Sequence, residues 1–339
     1  MIESSTTLPR NDSNTSQTCD VFIYKESARI LFPIFYSLVL IVSVAGNSLV
    51  LGIICRKKQK MNSTTIYLIN LAISDTLFTL ALPGRITYYI RGFDWPFGDL
   101  LCRLTAMIFY SNTYAGIAFM TCISVDRYLA MLHRQRCLRL RKTKVVKKIC
   151  ALVWTVVILE TSVLLFKSTF EERSPTHRTC MELFNFEGPR TAYFLLVACV
   201  IGFFVPLGLI VRCYSQVNSK LSRIAKENPM TNRSGSSGRA RNTILLILFS
   251  FVVCFIPYHI NIMQFAVRSL INDPTCEDKK NMKMSLQVTF AMMNFNCCLD
   301  PVIYFFAIKT YKQRVISLFK TYISTPSSKS TQDNSSSNT

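Results

Sequence analysis

Residues 99–133 read DLLCRLTAMIFYSNTYAGIAFMTCISVDRYLAMLH. The run is apolar enough, and longer than the ~20 residues needed, to cross ~30 Å of hydrocarbon as a helix. It nevertheless carries Cys102 at one end, Tyr110, Asn112 and Tyr114 in its first half, and Asp126-Arg127-Tyr128 near the other end. Polar and ionisable groups are costly inside a bilayer, so such an ordered set points to function rather than to a plain anchor.

The same patterning extends outward. Half of the 339 residues are hydrophobic and 17% are charged, and the apolar ones come in long blocks. Ile30 to Cys55, Thr191 to Val211 and Asn242 to Val267 contain no Asp, Glu, Lys or Arg. Weaker spans cover Ile66 to Ile90, Leu100 to Leu132, Ile149 to Phe166 and Met284 to Ile308. The expected fold is therefore an all-α membrane protein, a seven-transmembrane helix bundle over residues 30–308.

The formal charge of +20 sits in clusters between spans, such as Arg56 to Lys60 and Arg134 to Lys148, not on one folded face. This argues against a nucleic-acid partner and, by the positive-inside rule, places those loops in the cytoplasm. The N-terminus is then extracellular and the C-terminus cytoplasmic, with lipid headgroups and an acidic cytoplasmic partner as counter-charges. Residues 1–29 read as an extracellular tail with glycosylation patterns at Asn11 and Asn14. Residues 309–320 alternate apolar and basic at helical spacing, as a membrane-surface helix does. Residues 321–339 form a Ser/Thr-rich cytoplasmic tail within reach of kinases.

Most of the thirteen cysteines lie inside spans, where a thiol acts as a small hydrophobe. Four fall at the outer edge, Cys19, Cys102, Cys180 and Cys276, and four cysteines allow three pairings.

Among the polar positions, Arg85 either snorkels to headgroups or points into a cavity. Tyr110 and Tyr114, four residues apart, share a helix face. Gly92 to Gly98 reads as a rigid aromatic turn, Pro257 as a hinge in span six, and Glu160 receives no role. No paired broken-helix repeat suggests a transporter, the remote rival. An enzyme is disfavoured because the sequence offers no nucleophile–base pair and its three histidines are scattered.

Gly46-Asn47, Asp75, Cys102, Asp126-Arg127-Tyr128, Trp154, Pro206 with Tyr214, Pro257 and Asp300-Pro301-Val302-Ile303-Tyr304, one set per span, resemble the rhodopsin-like (class A) G-protein-coupled receptors over residues 30–320. Phe255 before the proline and Asp300 in the last motif resemble the branch of nucleotide, lipid and chemoattractant receptors. Longer runs are similar to its oxysterol-sensing chemotactic receptors: Asn62 to Thr65, Ala81 to Pro83 with Arg85, Gly92 to Trp95, Asn112 to Gly116, Pro257 to His259 and Asn294 to Cys298.

That resemblance implies a plasma-membrane receptor whose ligand, an oxysterol-like lipid, meets Arg85, Tyr110, Asn112, Tyr114 and Tyr258. It implies Asp126, Arg127, Tyr128, Tyr214, Pro257 and Tyr304 as the parts that activate a heterotrimeric G protein, of the inhibitory class, to guide migration of immune cells. Arrestin and receptor kinases would act at the tail. Asp75, Asn112, Asn296 and Asp300 would converge on an allosteric sodium ion or a water-linked network, with no other cofactor. The resemblance pairs Cys102 with Cys180 and leaves Cys19 with Cys276.

The alternative ligand is a lysophospholipid or nucleotide with Arg85 as phosphate partner. A triphosphate needs several cations, and Ile262 and Leu286 to Phe290 supply none. Two departures from the family pattern stand out: no acid in Ser234 to Arg241 to hold Arg127, and Arg134 where a proline is common.

Overall fold

The computed structural model describes residues 24–56, 61–133, 137–166, 170–174, 177–181, 189–227, 235–271 and 275–323. Its helices are α1 (Lys25–Arg56), α2 (Ser63–Ile90), α3 (Gly98–Leu132) and α4 (Thr143–Phe166). A hairpin of β1 (Phe170–Ser174) and β2 (His177–Cys180) precedes α5 (Pro189–Cys199) and α6 (Val205–Glu227). After them come α7 (Gly235–Ser250), α8 (Ile256–Ile271), α9 (Cys276–Asn294), α10 (Asn296–Ala307) and α11 (Lys309–Ile323).

Six spans among the described residues are long and apolar enough to cross a membrane, with α5–α6, α7–α8 and α9–α10 each forming one. The seventh helix of the bundle is α4, which spends its first turns on Lys144, Lys147 and Lys148 and carries Glu160. The first helix starts at Lys25, ahead of the apolar run. The last, α11, runs three residues past the expected Lys320 after the chain turns at an extended Ile308.

α3 is the axis: it packs against α2, α4, α6 and α7. The α1–α10 contact depends on a missing side chain, because a Cβ at Gly46 would collide with the Pro301 ring. Small residues of this kind let membrane helices approach closely. Two helices change winding ahead of a proline. Val200–Phe204 forms a π turn before Pro206, and Phe251–Phe255 forms one before Pro257. Proline lacks the N–H that would complete the α ladder, so a local widening absorbs the break.

The disulfide Cys102–Cys180 ties the start of α3 to β2. Antiparallel pairing sets Phe170 opposite Cys180 and Glu172 opposite Arg178. The turn before α3 locks onto this hairpin. The Trp95 amide donates to the Arg178 carbonyl at 2.7 Å, and the Arg178 amide to Asp94 at 3.2 Å. Gly92, Phe93 and Gly98 take left-handed backbone angles there, and the Trp95 ring, fully enclosed, lies close over Gly84. Cys276 is disulfide-bonded as well; its expected partner Cys19, and the glycosylation positions Asn11 and Asn14, lie outside the described residues.

Candidate functional site

Beneath the disulfide, Arg85 is 2% exposed, so it does not snorkel. One guanidinium nitrogen donates to the Tyr89 hydroxyl at 2.9 Å and to Gln287 Oε1 at 3.0 Å; another donates to the Cys180 carbonyl at 3.3 Å. The Tyr89 hydroxyl itself donates to Gln287. The guanidinium carbon lies 5.1, 4.8 and 5.8 Å from the Tyr88, Tyr89 and Phe290 ring centres, within cation–π range. The disulfide thus does more than staple: it holds a carbonyl where Arg85 needs an acceptor.

Phe290 links this cation to the phenols below it. Its ring stands 5.9 Å from Tyr110 and 5.6 Å from Tyr258, and the Tyr258 hydroxyl interacts with that of Tyr110. Tyr114 lies against Gly202 in the first π turn, with the Glu160 carboxyl within electrostatic reach. Next to Tyr258, His259 stacks on Phe203 at 4.0 Å. Its Nδ1 is 2.8 Å from the Phe255 carbonyl, which can only accept, so Nδ1 carries the proton. Nε2 is then a buried acceptor without a partner among the described residues.

Deeper, a polar centre forms. Asn112 donates to Ser74 at 3.2 Å and to Asp75 at 3.0 Å. Asn112 therefore belongs to this centre and not to the aromatic site above. The Tyr304 hydroxyl reaches Asn47 at 3.2 Å and Asp75 at 3.4 Å. Asp75 and Asp300 are fully buried side by side. Beyond the contact of Asp300 with Asp75, both Asp300 oxygens, Asn112 Oδ1 and the Asn296 amide nitrogen lack a hydrogen-bond partner among the described residues. Such an oxygen-rich donor set suits a hard cation.

At the far end, neighbouring residues diverge. Asp126 and Arg127 share no hydrogen bond or ion pair among the described residues, although the Asp126 carboxylate acts on Arg127 as an opposite charge. Asp126 accepts from Ser63 at 2.6 Å, Thr64 at 2.5 Å and Arg141 at 2.9 Å. Arg127 instead donates to the Ala307 carbonyl at 2.9 Å, and Arg239 and Arg141 act on it as like charges. Successive residues on a helix point ~100° apart, so one faces the start of α2 and the other the C-terminus of α10, whose dipole end favours a cation. Tyr304 is committed to the polar centre. Tyr214 is half-buried on α6, and Tyr128 sits beside His133 at 3.2 Å. Trp154 donates to Asn70 at 3.0 Å.

Four partners escape a reading of single spans: Tyr89, Gln287, Arg141 and Lys283. Lys283 is 4% exposed, with its ammonium 5.9 Å from the Phe93 ring centre. It lies one turn before Leu286 to Phe290, so Arg85 is not the only buried cation near that end, and the argument against a phosphate ligand loses strength. Lys283 and Gln287, four apart and so on one face of α9, were the available signal.

Residues 46–304 match the model of the 7 transmembrane receptor (rhodopsin family). The chain is similar to G-protein coupled receptor 183 of Rattus norvegicus, 48% identical over 90% of this chain and 86% of that protein. It is 45% identical to G-protein coupled receptor 183 of Homo sapiens, over 93% of this chain and 88% of that protein. Lysophosphatidic acid receptor 6 of Gallus gallus is 33% identical over 88% and 95% respectively.

Proposed function

Since the chain belongs to the rhodopsin family of seven-transmembrane receptors, a family of receptors and not of enzymes, we propose that it senses an oxysterol-like lipid at the plasma membrane. It then activates an inhibitory-class G protein that guides immune-cell migration. The carrying observation is the setting of Arg85, one guanidinium enclosed by three aromatic rings and already held by Tyr89, Gln287 and a carbonyl. Below it come three phenols and a bare imidazole acceptor. This suits a rigid apolar body with hydroxyls. Nε2 of His259 asks for an O–H donor, which a sterol hydroxyl supplies.

The ligand favours a state in which α7 swings outward about Pro257 and its π turn, freeing the cleft at Arg127 for the G protein. A hundredfold preference for that state corresponds to ~2.7 kcal/mol of population shift. The N-terminus faces outward and the basic loops inward, where arrestin and receptor kinases would meet the tail. Asp75, Asp300 and Asn112 would hold a sodium ion, which supplies charge neutralisation between the two carboxyl groups and favours the resting state.

The second reading, a lysophospholipid with its phosphate between Arg85 and Lys283, draws support from the burial of Lys283 and the similarity to a lysophosphatidic acid receptor. Dose–response curves for a hydroxysterol panel and lysophosphatidic acid, in cells expressing wild type, Tyr114→Phe and Lys283→Ala, separate the two. The oxysterol reading expects sterol responses weakened by Tyr114→Phe and little changed by Lys283→Ala. Responses to lysophosphatidic acid alone, lost in Lys283→Ala, would replace it.

A further inference from the structure

A groove of 610 Å³ runs between α1 and α11, within the ~300–1,000 Å³ typical of small-molecule sites. Ser48 and Gly52 line its α1 wall, and Thr310, Gln313, Arg314 and Leu318 its α11 wall. At Gly52 an added Cβ would meet nothing within 4 Å, so the wall is notched there. Ser48 lies eight residues before the end of α1 at Arg56, ~12 Å at 1.5 Å per residue. The groove therefore begins at the level of the membrane surface and climbs well into the hydrocarbon.

Its two ends differ in chemistry. Thr310, Gln313 and Arg314, three and four apart on α11, share one helix face at the surface end. Arg314 is exposed and forms no ion pair among the described residues. The deep end is the notch beside apolar side chains. A soluble partner does not reach that depth, and a second transmembrane helix, with its backbone groups already satisfied, brings no anion to Arg314. A phospholipid brings both an acyl chain and a phosphate, which a guanidinium binds bidentately, and an acidic headgroup keeps a net negative charge there that the choline cation of a zwitterionic lipid cancels.

We propose that this groove is a site for an acidic glycerophospholipid, its phosphate on Arg314 and Gln313 and one acyl chain along Gly52 toward Ser48. The site is separate from the agonist site and does not depend on what the agonist is.

The test is native mass spectrometry of the full-length receptor, taken from nanodiscs of equal phosphatidylserine and phosphatidylcholine, counting retained lipids of each kind. Wild type should retain phosphatidylserine in preference, and Arg314→Gln should cut that preference about fivefold, the ~1 kcal/mol of one basic side chain near an anionic surface. Arg314→Lys should keep most of it, and Lys320→Gln, on the same helix outside the groove, all of it. Gly52→Leu should lower retention of both lipids. The proposal is overturned if wild type shows no preference, or if Arg314→Gln and Lys320→Gln behave alike. It is equally overturned if Gly52→Leu leaves the lipid count unchanged while turning dimers into monomers, which would assign the groove to a second copy of the chain.

Discussion

Arg85 shows how the folded bundle can fix the orientation of one buried cation. Two of its partners, Gln287 and Cys180, come from segments 202 and 95 residues away, so its orientation is a property of the folded bundle and not of α2. Arg85→Ala removes a charged donor and leaves Tyr89 and Gln287 half-satisfied. A hydrogen bond to a charged group contributes ~1.5–3 kcal/mol, so agonist potency, measured as EC50 at matched surface expression, should fall by about 10- to 150-fold. Arg85→Lys should not restore it, because a single ammonium lacks the planar fork whose two nitrogens reach Cys180 and Gln287 and whose face stacks on the rings. Tyr89→Phe loses only the hydroxyl that clamps Gln287 and should cost about fivefold in the same assay. In the polar centre, Asp75→Asn should abolish the sodium dependence of agonist binding; a salt response equal to wild type would count against the cation.

Among the elements, the two glycines of α1 make a matched experiment. Gly46 touches Pro301, whereas Gly52 faces open space. Gly46→Ala overpacks the α1–α10 contact by a methyl group, typically ~1–3 kcal/mol, and should lower the thermal midpoint of the purified receptor by several degrees. Gly52→Ala should leave it within a degree or so. The spans were legible in the sequence because a bilayer forces long uncharged runs, and Ile30 to Cys55 could be little else. The hairpin was not: Phe170 to Ser174 and His177 to Cys180 show no alternation of apolar and polar residues, and the disulfide at Cys180 ties β2 to α3, not to β1. The π turns left only Pro206 and Pro257 as clues. The candidate site was legible where a polar residue interrupts an apolar face, as at Arg85, Asp75 and Tyr114. Partnerships across helices, such as Arg85 with Gln287, were not, because hydropathy along one helix says nothing of its neighbour's register.

Across the whole molecule, Asp126 couples α3 to the start of α2 and to the approach to α4, while Arg127 couples α3 to the end of α10. With no acid in Ser234 to Arg241 and Arg239 acting as a like charge, α7 is not latched to Arg127. Ligand-free signalling should therefore exceed that of cells lacking the receptor. Asp126→Asn and Arg141→Gln, alone and together, should each change that basal level, and the double variant should fall short of the sum, as residues sharing one ion pair do. Strict additivity in the cycle would mean that Arg141 is a bystander. The stacked rings of Phe203 and His259 bring together the two helices that carry π turns. A π turn holds one residue more than the α ladder needs, and reabsorbing it would spin everything beyond by ~100° and advance it ~1.5 Å. The α5–α6 and α7–α8 spans thus each carry a spare tooth, and a slip of either by one residue would have to break the Phe203–His259 stack, at a cost of about 0.5–1.5 kcal/mol.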